Sequence, residues 1–192
     1  EGVDWHFSKA DHSDAKKLLS KYSLTKTFII YTGNLYPHKN VGLLVDAVNH
    51  FNSSHNHKLT LALICGRSAF HQSIKENEYI KLLGFVPDED MSDIYSQAIA
   101  LVQPSLIEGF GLTGLEAMMV GLPVLSSNAS CLPEVYQDAA LYFDPYNHED
   151  LSNKLEQITT NKRLRDTLVE EGLEQVKLYS WKKMANGLRN KK

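Results

Sequence analysis

Short apolar runs rich in β-branched and aromatic residues alternate along this chain with segments of helical periodicity. That alternation restricts the fold more than any other feature. The runs are residues 27–33 (TFIIYTG), 58–66 (KLTLALICG), 79–86 (YIKLLGFV), 99–104 (IALVQP), 123–127 (PVLSS) and 140–144 (ALYFD). Glycine, proline or polar residues bound them, as they bound strands. In residues 40–51 (NVGLLVDAVNHF), Val41, Leu44, Val45 and Val48 recur at i, i+3, i+4 and i+7 and predict a helix with one apolar stripe. Further helices are predicted over residues 88–98, 132–138, 147–158 and 162–180, the first with acids in its opening turn. Asn147 with Asp150 reads as an N-cap followed by an acid at the third helical position. Near-continuous apolar strands between helices are the mark of strands covered on both faces. The pattern predicts an α/β fold, a doubly wound, Rossmann-like parallel sheet of about six strands.

Composition narrows the partners. A chain of 192 residues suits one domain, and a formal net charge of −3 gives no reason to expect nucleic acid. The basic cluster at residues 189–192 reads as a solvated end. No apolar run approaches the roughly 18–20 residues of a membrane span, and no stretch reads as a signal peptide. A cytoplasmic protein is expected, with no membrane contact indicated within these residues. Cys65 and Cys131 lie far apart without metal-like spacing and read as reduced thiols. His50, His55 and His57 read as a polar loop rather than a metal site, since no Cys or acidic ligand sits beside them. No metal is expected.

Ligands of doubly wound sheets bind at the carboxyl ends of the strands, near the switch point. The turns to examine are therefore residues 33–40, 66–70, 84–88 and 105–113. The last is the most informative. Gly109 and Gly111 flank Phe110, so backbone there approaches a ligand with no Cβ in the way. Thr113 reads as the N-cap of a helix carrying Leu115, Met118 and Met119, and Gly121 and Pro123 end that helix. A helix N-terminus offers free N–H groups and a partial positive charge, which together bind phosphate. Glu108 precedes the turn, and Glu116 is placed in the first turn of the helix. Thr113–Glu116 also fits the T-x-x-E capping box, which would give Glu116 a purely structural task. A ligand carrying both phosphates and sugar hydroxyls would use the anion site and the carboxylates together. The first turn, GNLYPHKN, delivers Lys39 just ahead of a helix, where it would meet a phosphate as a point charge.

These residues carry a resemblance. The chain resembles the C-terminal domain of the retaining GT-B glycosyltransferases of family 4 (glycosyl transferases group 1). The motifs are a strand ending at Gly33, then Lys39-Asn40, residues 82–86 (LLGFV), Pro104-Ser105 leading to Glu108-Gly109-Phe110-Gly111 and Glu116-Ala117, and Gly121-Leu122-Pro123-Val124. Residues 132–135 (LPEV), Asp144-Pro145 and residues 179–181 (YSW) match further family positions, so the resemblance covers nearly the whole chain. It implies a nucleotide-diphosphate sugar as co-substrate and no other cofactor. Glu108 and Lys39 would be the catalytic residues, Glu108 on the hydroxyls of the donor sugar and Lys39 on the diphosphate leaving group. Gly33, Asn34, Gly109, Phe110, Gly111, Leu112 and Thr113 would bind the sugar and phosphate, mainly through backbone. Glu116 would accept from the ribose, and Phe85 and Val86 would border the base. The implied chemistry is front-face displacement with retention, needing no protein nucleophile and no metal.

The chain departs from the family pattern at Asn34, where the family carries arginine five residues before the lysine; His38 or Arg67 could compensate. Residues 1–7 (EGVDWHF) resemble the family segment that follows the interdomain linker. The whole chain, residues 1–192, is thus expected to be one domain. Residues 1–26 would be a linker-proximal segment and helix, and residues 27–192 the core. The partner would be an N-terminal acceptor domain not contained in these residues, with room for the full enzyme to sit peripherally at the inner membrane face. A hexose would pass to a glycan, lipid or small-molecule acceptor, as in polysaccharide biosynthesis. The alternative is a non-catalytic nucleotide-sugar binding module. An NAD-binding domain is disfavoured, because no G-x-G-x-x-G follows the first strand and Cys65-Gly66 ends the second where an acid would be needed.

Overall fold

The computed structural model describes residues 15–24, 27–66 and 74–179. The described elements are α1 (Ala15–Lys21), β1 (Phe28–Thr32), α2 (Val41–Ser54), β2 (Thr60–Ile64), β3 (Ile80–Gly84), α3 (Asp88–Gln97), β4 (Leu101–Gln103), α4 (Leu112–Met119), β5 (Val124–Ser127), α5 (Leu132–Tyr136), β6 (Ala140–Phe143), α6 (His148–Thr160) and α7 (Lys162–Gln175). All six expected strands are present, each shorter than expected by one or more residues. The final helix is shorter than expected: α7 gives way to a 3-10 turn at Val176–Tyr179.

All pairings are parallel, and the strand order is β3-β2-β1-β4-β5-β6. The chain runs outward from β1 to β3, then returns to the other side of β1 and runs outward again. The switch point therefore falls between β1 and β4, where two turns leave in opposite directions and open a crevice.

Side chains of a strand alternate between its two faces, and here each face has its own core. Phe28, Ile30, Ala62, Leu101 and Val124 join one apolar cluster with residues of α3, α4 and α5. Ile29, Tyr31, Leu61, Leu63, Val102 and Leu125 join the other, against α2 and α6. On α2 the buried stripe is Val41, Leu44, Ala47, Val48 and Phe51, with Val45 only half-buried at its margin. Asn147 caps α6 as expected. Its side-chain oxygen accepts from the N–H groups of Glu149 and Asp150 at 3.0 and 3.1 Å. Asp150 in turn accepts from the Asp144 N–H at 2.8 Å, so the cap also fixes the end of β6. In the α2–β2 loop the His55 ring stacks on Phe51 at 4.2 Å and His57 meets Phe51 edge to face.

Candidate functional site

The first and fourth turns meet at the switch point. The N–H of Leu106 donates to the His38 carbonyl at 2.8 Å, joining the two turns directly. Each is also pinned from below by a buried tyrosine. The Tyr31 hydroxyl donates to the Asn34 carbonyl at 2.5 Å, and the Tyr136 hydroxyl donates to the Gly111 carbonyl at 2.6 Å. Burial, reinforced by the nearby Glu108 charge, pushes both phenols well above their ordinary range, so both are neutral donors at any physiological pH.

Lys39 and Glu108, 69 residues apart in sequence, form an ion pair with Nζ 2.6 Å from Oε1. Two further donors reach the same carboxylate oxygen: the Gln103 amide at 2.5 Å and the Ser105 hydroxyl at 2.7 Å. Glu108 Oε2 makes no hydrogen bond among the described residues. The Glu108 backbone is held as well, exchanging hydrogen bonds with Ser130 Oγ at 3.2 and 3.0 Å. Ser130 takes a left-handed φ of 58° to do so. The two residues expected to serve a ligand's hydroxyls and phosphates are therefore neighbours, and each occupies the other.

Helix α4 corrects the expected capping. The helix opens at Leu112, its N-cap is Gly111 in the left-handed conformation, and no side chain among the described residues caps it. Thr113 is the second helical residue rather than the N-cap, so the T-x-x-E box does not form. Glu116 lies two residues further into the helix than expected, past its first turn, where no acid falls. It is partly buried, it has no hydrogen-bond partner among the described residues, and desolvation raises its pKa above 4.5. It lies near Tyr95, whose hydroxyl donates to Thr32 Oγ1 at 3.1 Å, and burial, with a smaller contribution from the Glu116 charge, pushes that phenol up to about 12.

The glycines of this turn divide by task. A Cβ on Gly109 would meet nothing within 4 Å among the described residues. A Cβ on Gly111 or Gly114 would come within 2.5 or 2.3 Å of the Tyr136 hydroxyl. Gly111, read as a point of ligand approach, is required by its φ of 85° and by close packing on Tyr136. The Phe110 ring meets Tyr179, at the end of the last described turn, edge to face at 5.4 Å.

Beside the switch point, a cleft of about 280 Å³ lies over the carboxyl ends of β1, β2 and β3. Thr32, Gly33, Cys65, Gly66, Phe85 and Val86 are among its walls. Phe85 is 81% exposed at the rim while Val86 is buried. Asn34, exposed on the first turn, spends its side-chain oxygen on the Tyr36 N–H at 3.2 Å. Arg67, residues 1–7, Trp181 and residues 189–192 lie outside the described residues. Among the described residues no group of three or more His, Cys, Asp and Glu is placed to hold a metal, and no helix is long and apolar enough to cross a membrane.

Nothing in the sequence assigns a role to Gln103, Ser130 or Tyr136, and Ser105 stands out there only as part of a motif. A buried glutamine closing an apolar strand was the one available signal.

The chain matches the family described as glycosyl transferases group 1 over residues 15–175. It is 34% identical over 173 residues to O-antigen chain mannosyltransferase B of Escherichia coli, covering 85% of this chain and 45% of that protein. The chain thus spans less than half the length of the curated relatives it matches. Among solved structures it superposes on the C-terminal domain of the Francisella tularensis group 1 glycosyl transferase LpcC. The TM-score is 0.77 at 21% identity, over 94% of this chain and 100% of that one. It also superposes on Anabaena HepE, solved in complex with UDP and glucose. There the TM-score is 0.82 at 20% identity, over 98% of this chain and 55% of that one. These two structural likenesses concern the GT-B-type fold, whereas the match over residues 15–175 concerns descent: the chain belongs to the glycosyl transferases group 1 family.

Proposed function

We propose that this chain is the C-terminal, donor-binding half of a retaining GT-B glycosyltransferase of family 4, holding a nucleoside-diphosphate hexose at the β1–β4 switch point. The observation that carries the reading is the Lys39–Glu108 pair, set where the two turns meet and beside the uncapped N-terminus of α4. A carboxylate and an ammonium at one crevice suit a ligand with hydroxyls next to phosphates. Glu108 Oε2 accepts from hydroxyls of the sugar. Lys39 leaves Glu108 for the diphosphate, and the first N–H groups of α4, Leu112 and Thr113, hold the distal phosphate. Gly33, Asn34, Gly109, Phe110 and Gly111 border this group. Glu116 accepts from the ribose, and the backbone at Phe85 and Val86 borders the base in the cleft over β1–β3. The mannosyltransferase name of the relative and the bound UDP and glucose of the HepE structure support a hexose donor.

In the step itself the bond from the anomeric carbon to the diphosphate oxygen breaks, and its electron pair leaves with the diphosphate. The acceptor oxygen bonds to the same face, and its proton passes to the departing phosphate. Lys39 and the α4 N-terminus stabilise the charge that develops on the leaving group, and this is the contribution of the present half. The acceptor, a glycan, lipid or small molecule, would be held by an N-terminal domain of a longer chain. A cytoplasmic enzyme, peripheral at the inner face of the membrane in its full form, fits that arrangement.

Calorimetry of the folded protein against UDP, GDP, ADP and their hexose conjugates tests the reading. Binding of at least one pair is expected. Absence of both heat and thermal shift with every ligand would overturn it. A second reading, a nucleotide-sugar binding module without transfer, is favoured by Asn34, which places a neutral, internally bonded amide where a cation would help the leaving group. Turnover by the longer chain decides between the two.

A further inference from the structure

We infer that Gln103 is a positioning residue for Glu108. With Ser105 it fixes one carboxylate oxygen so that the other stays presented to the donor sugar after Lys39 has moved to the diphosphate. The inference rests on the donor-site reading above.

Three donors converge on Glu108 Oε1: Lys39 at 2.6 Å, Gln103 at 2.5 Å and Ser105 at 2.7 Å. They differ in what a bound ligand does to them. Lys39 is a cation, and a diphosphate competes for it directly. Gln103 and Ser105 are neutral, 3% and 0% exposed, and sit on or beside β4 below the turn. The strand-end backbone is itself anchored, because Ser127 Oγ on β5 donates to the Ser105 carbonyl at 2.6 Å. When the ammonium leaves, these two donors remain, and the carboxylate keeps both its place and its compensation.

The amide of Gln103 shows which partner dictates its orientation. Its Nε2 faces Glu108, while its Oε1 is buried with no hydrogen-bond partner among the described residues. A buried carbonyl left unbonded is unfavourable, and it persists here because the alternative is worse. Turned over, the amide would press its oxygen against a carboxylate. The carboxylate is thus the reason for a polar residue at this otherwise apolar strand position, where Leu101 and Val102 precede it.

Gln103→Met keeps the side-chain length and removes the donor; Gln103→Asn keeps an amide one methylene too short to reach. Both are titrated with the nucleoside diphosphate that binds wild type best and with its hexose conjugate. Expected for either folded variant is unchanged affinity for the diphosphate, within about twofold, and roughly tenfold weaker binding of the conjugate, as for loss of one hydrogen bond to a charged group. An unchanged advantage of the conjugate over the diphosphate overturns the inference and leaves the donor site standing. Equal loss of both affinities also overturns it, in favour of a general structural role. Failure of wild type to bind either ligand removes the donor-site reading and this inference with it.

Discussion

Burial raises the proton affinity of Glu116, which sits partly buried on α4 with no hydrogen-bond partner among the described residues. Its folded pKa lies above its unfolded value, so the fold favours the protonated form. That contribution to stability is fully present below the ordinary value of 4.5 and is lost as pH rises through the raised folded value. Above that raised value the charged side chain works against the ligand-free fold. Glu116→Gln is expected to raise the melting temperature at pH 7–8, and the gain is expected to shrink as pH falls toward 4.5. The same substitution is expected to weaken nucleoside-diphosphate binding by roughly 5- to 30-fold, because a carboxylate accepts from ribose hydroxyls more strongly than an amide does. A melting temperature that drops with affinity unchanged would return Glu116 to a structural role. Burial likewise pushes the Cys65 thiol up to about 11, which keeps it protonated in the cleft wall.

The element that carries most of the proposed chemistry is the turn from β4 into α4, and its glycines predict different outcomes. Gly114→Ala gains helix propensity of about 1 kcal/mol but forces a methyl group to within 2.3 Å of the fully buried Tyr136 hydroxyl. Overpacking of that kind outweighs the gain, and denaturant unfolding is expected to show a net loss of about 1–3 kcal/mol. Gly109→Ala meets nothing within 4 Å among the described residues and is expected to stay within about 0.5 kcal/mol of wild type. Its methyl group enters the space assigned to the donor, so weaker conjugate binding is expected with stability intact. If Gly109→Ala unfolds the protein as readily as Gly114→Ala, the division of tasks within the turn is wrong. Thr113→Val touches no cap, because α4 is capped by no side chain among the described residues, and its effect on stability is expected to be similarly small.

At the scale of the whole molecule, the proposed reading has one sheet bring the donor-binding groups together and leaves the acceptor to a further domain. Reacting oxygens have to be held about 3–3.5 Å from the anomeric carbon, and such positioning supplies much of the rate. The 192-residue chain is therefore expected to bind the donor and transfer no sugar. Turnover of a defined acceptor by this chain alone would contradict that, whereas slow donor hydrolysis would not. Donor at 100 times its dissociation constant should stabilise the fold by about 2.7 kcal/mol, visible as a shift in melting temperature.

Local patterning decided the order and kind of elements. The strands are β-branched or aromatic runs that need cover on both faces, and two of the helices carry a stripe or cap readable over a few residues, Val41 to Phe51 on α2 and Asn147 on α6. The motif residues from Pro104 to Val124 also point to the glycosyl transferases group 1 family. Tertiary structure decided which turns became neighbours. Strand order depends on how whole faces are buried, and nothing local to β4 says that it pairs with β1 rather than with β3. That pairing brings Lys39 to Glu108 across 69 residues and surrounds the carboxylate with Gln103 and Ser105. It is also tertiary packing, the approach of Tyr136 beneath the turn, that turned Gly111 from a point of ligand access into a steric necessity and replaced Thr113 as the cap. A side chain's partner is set by what the fold brings within hydrogen-bond reach, and a sequence lists residues without their distances.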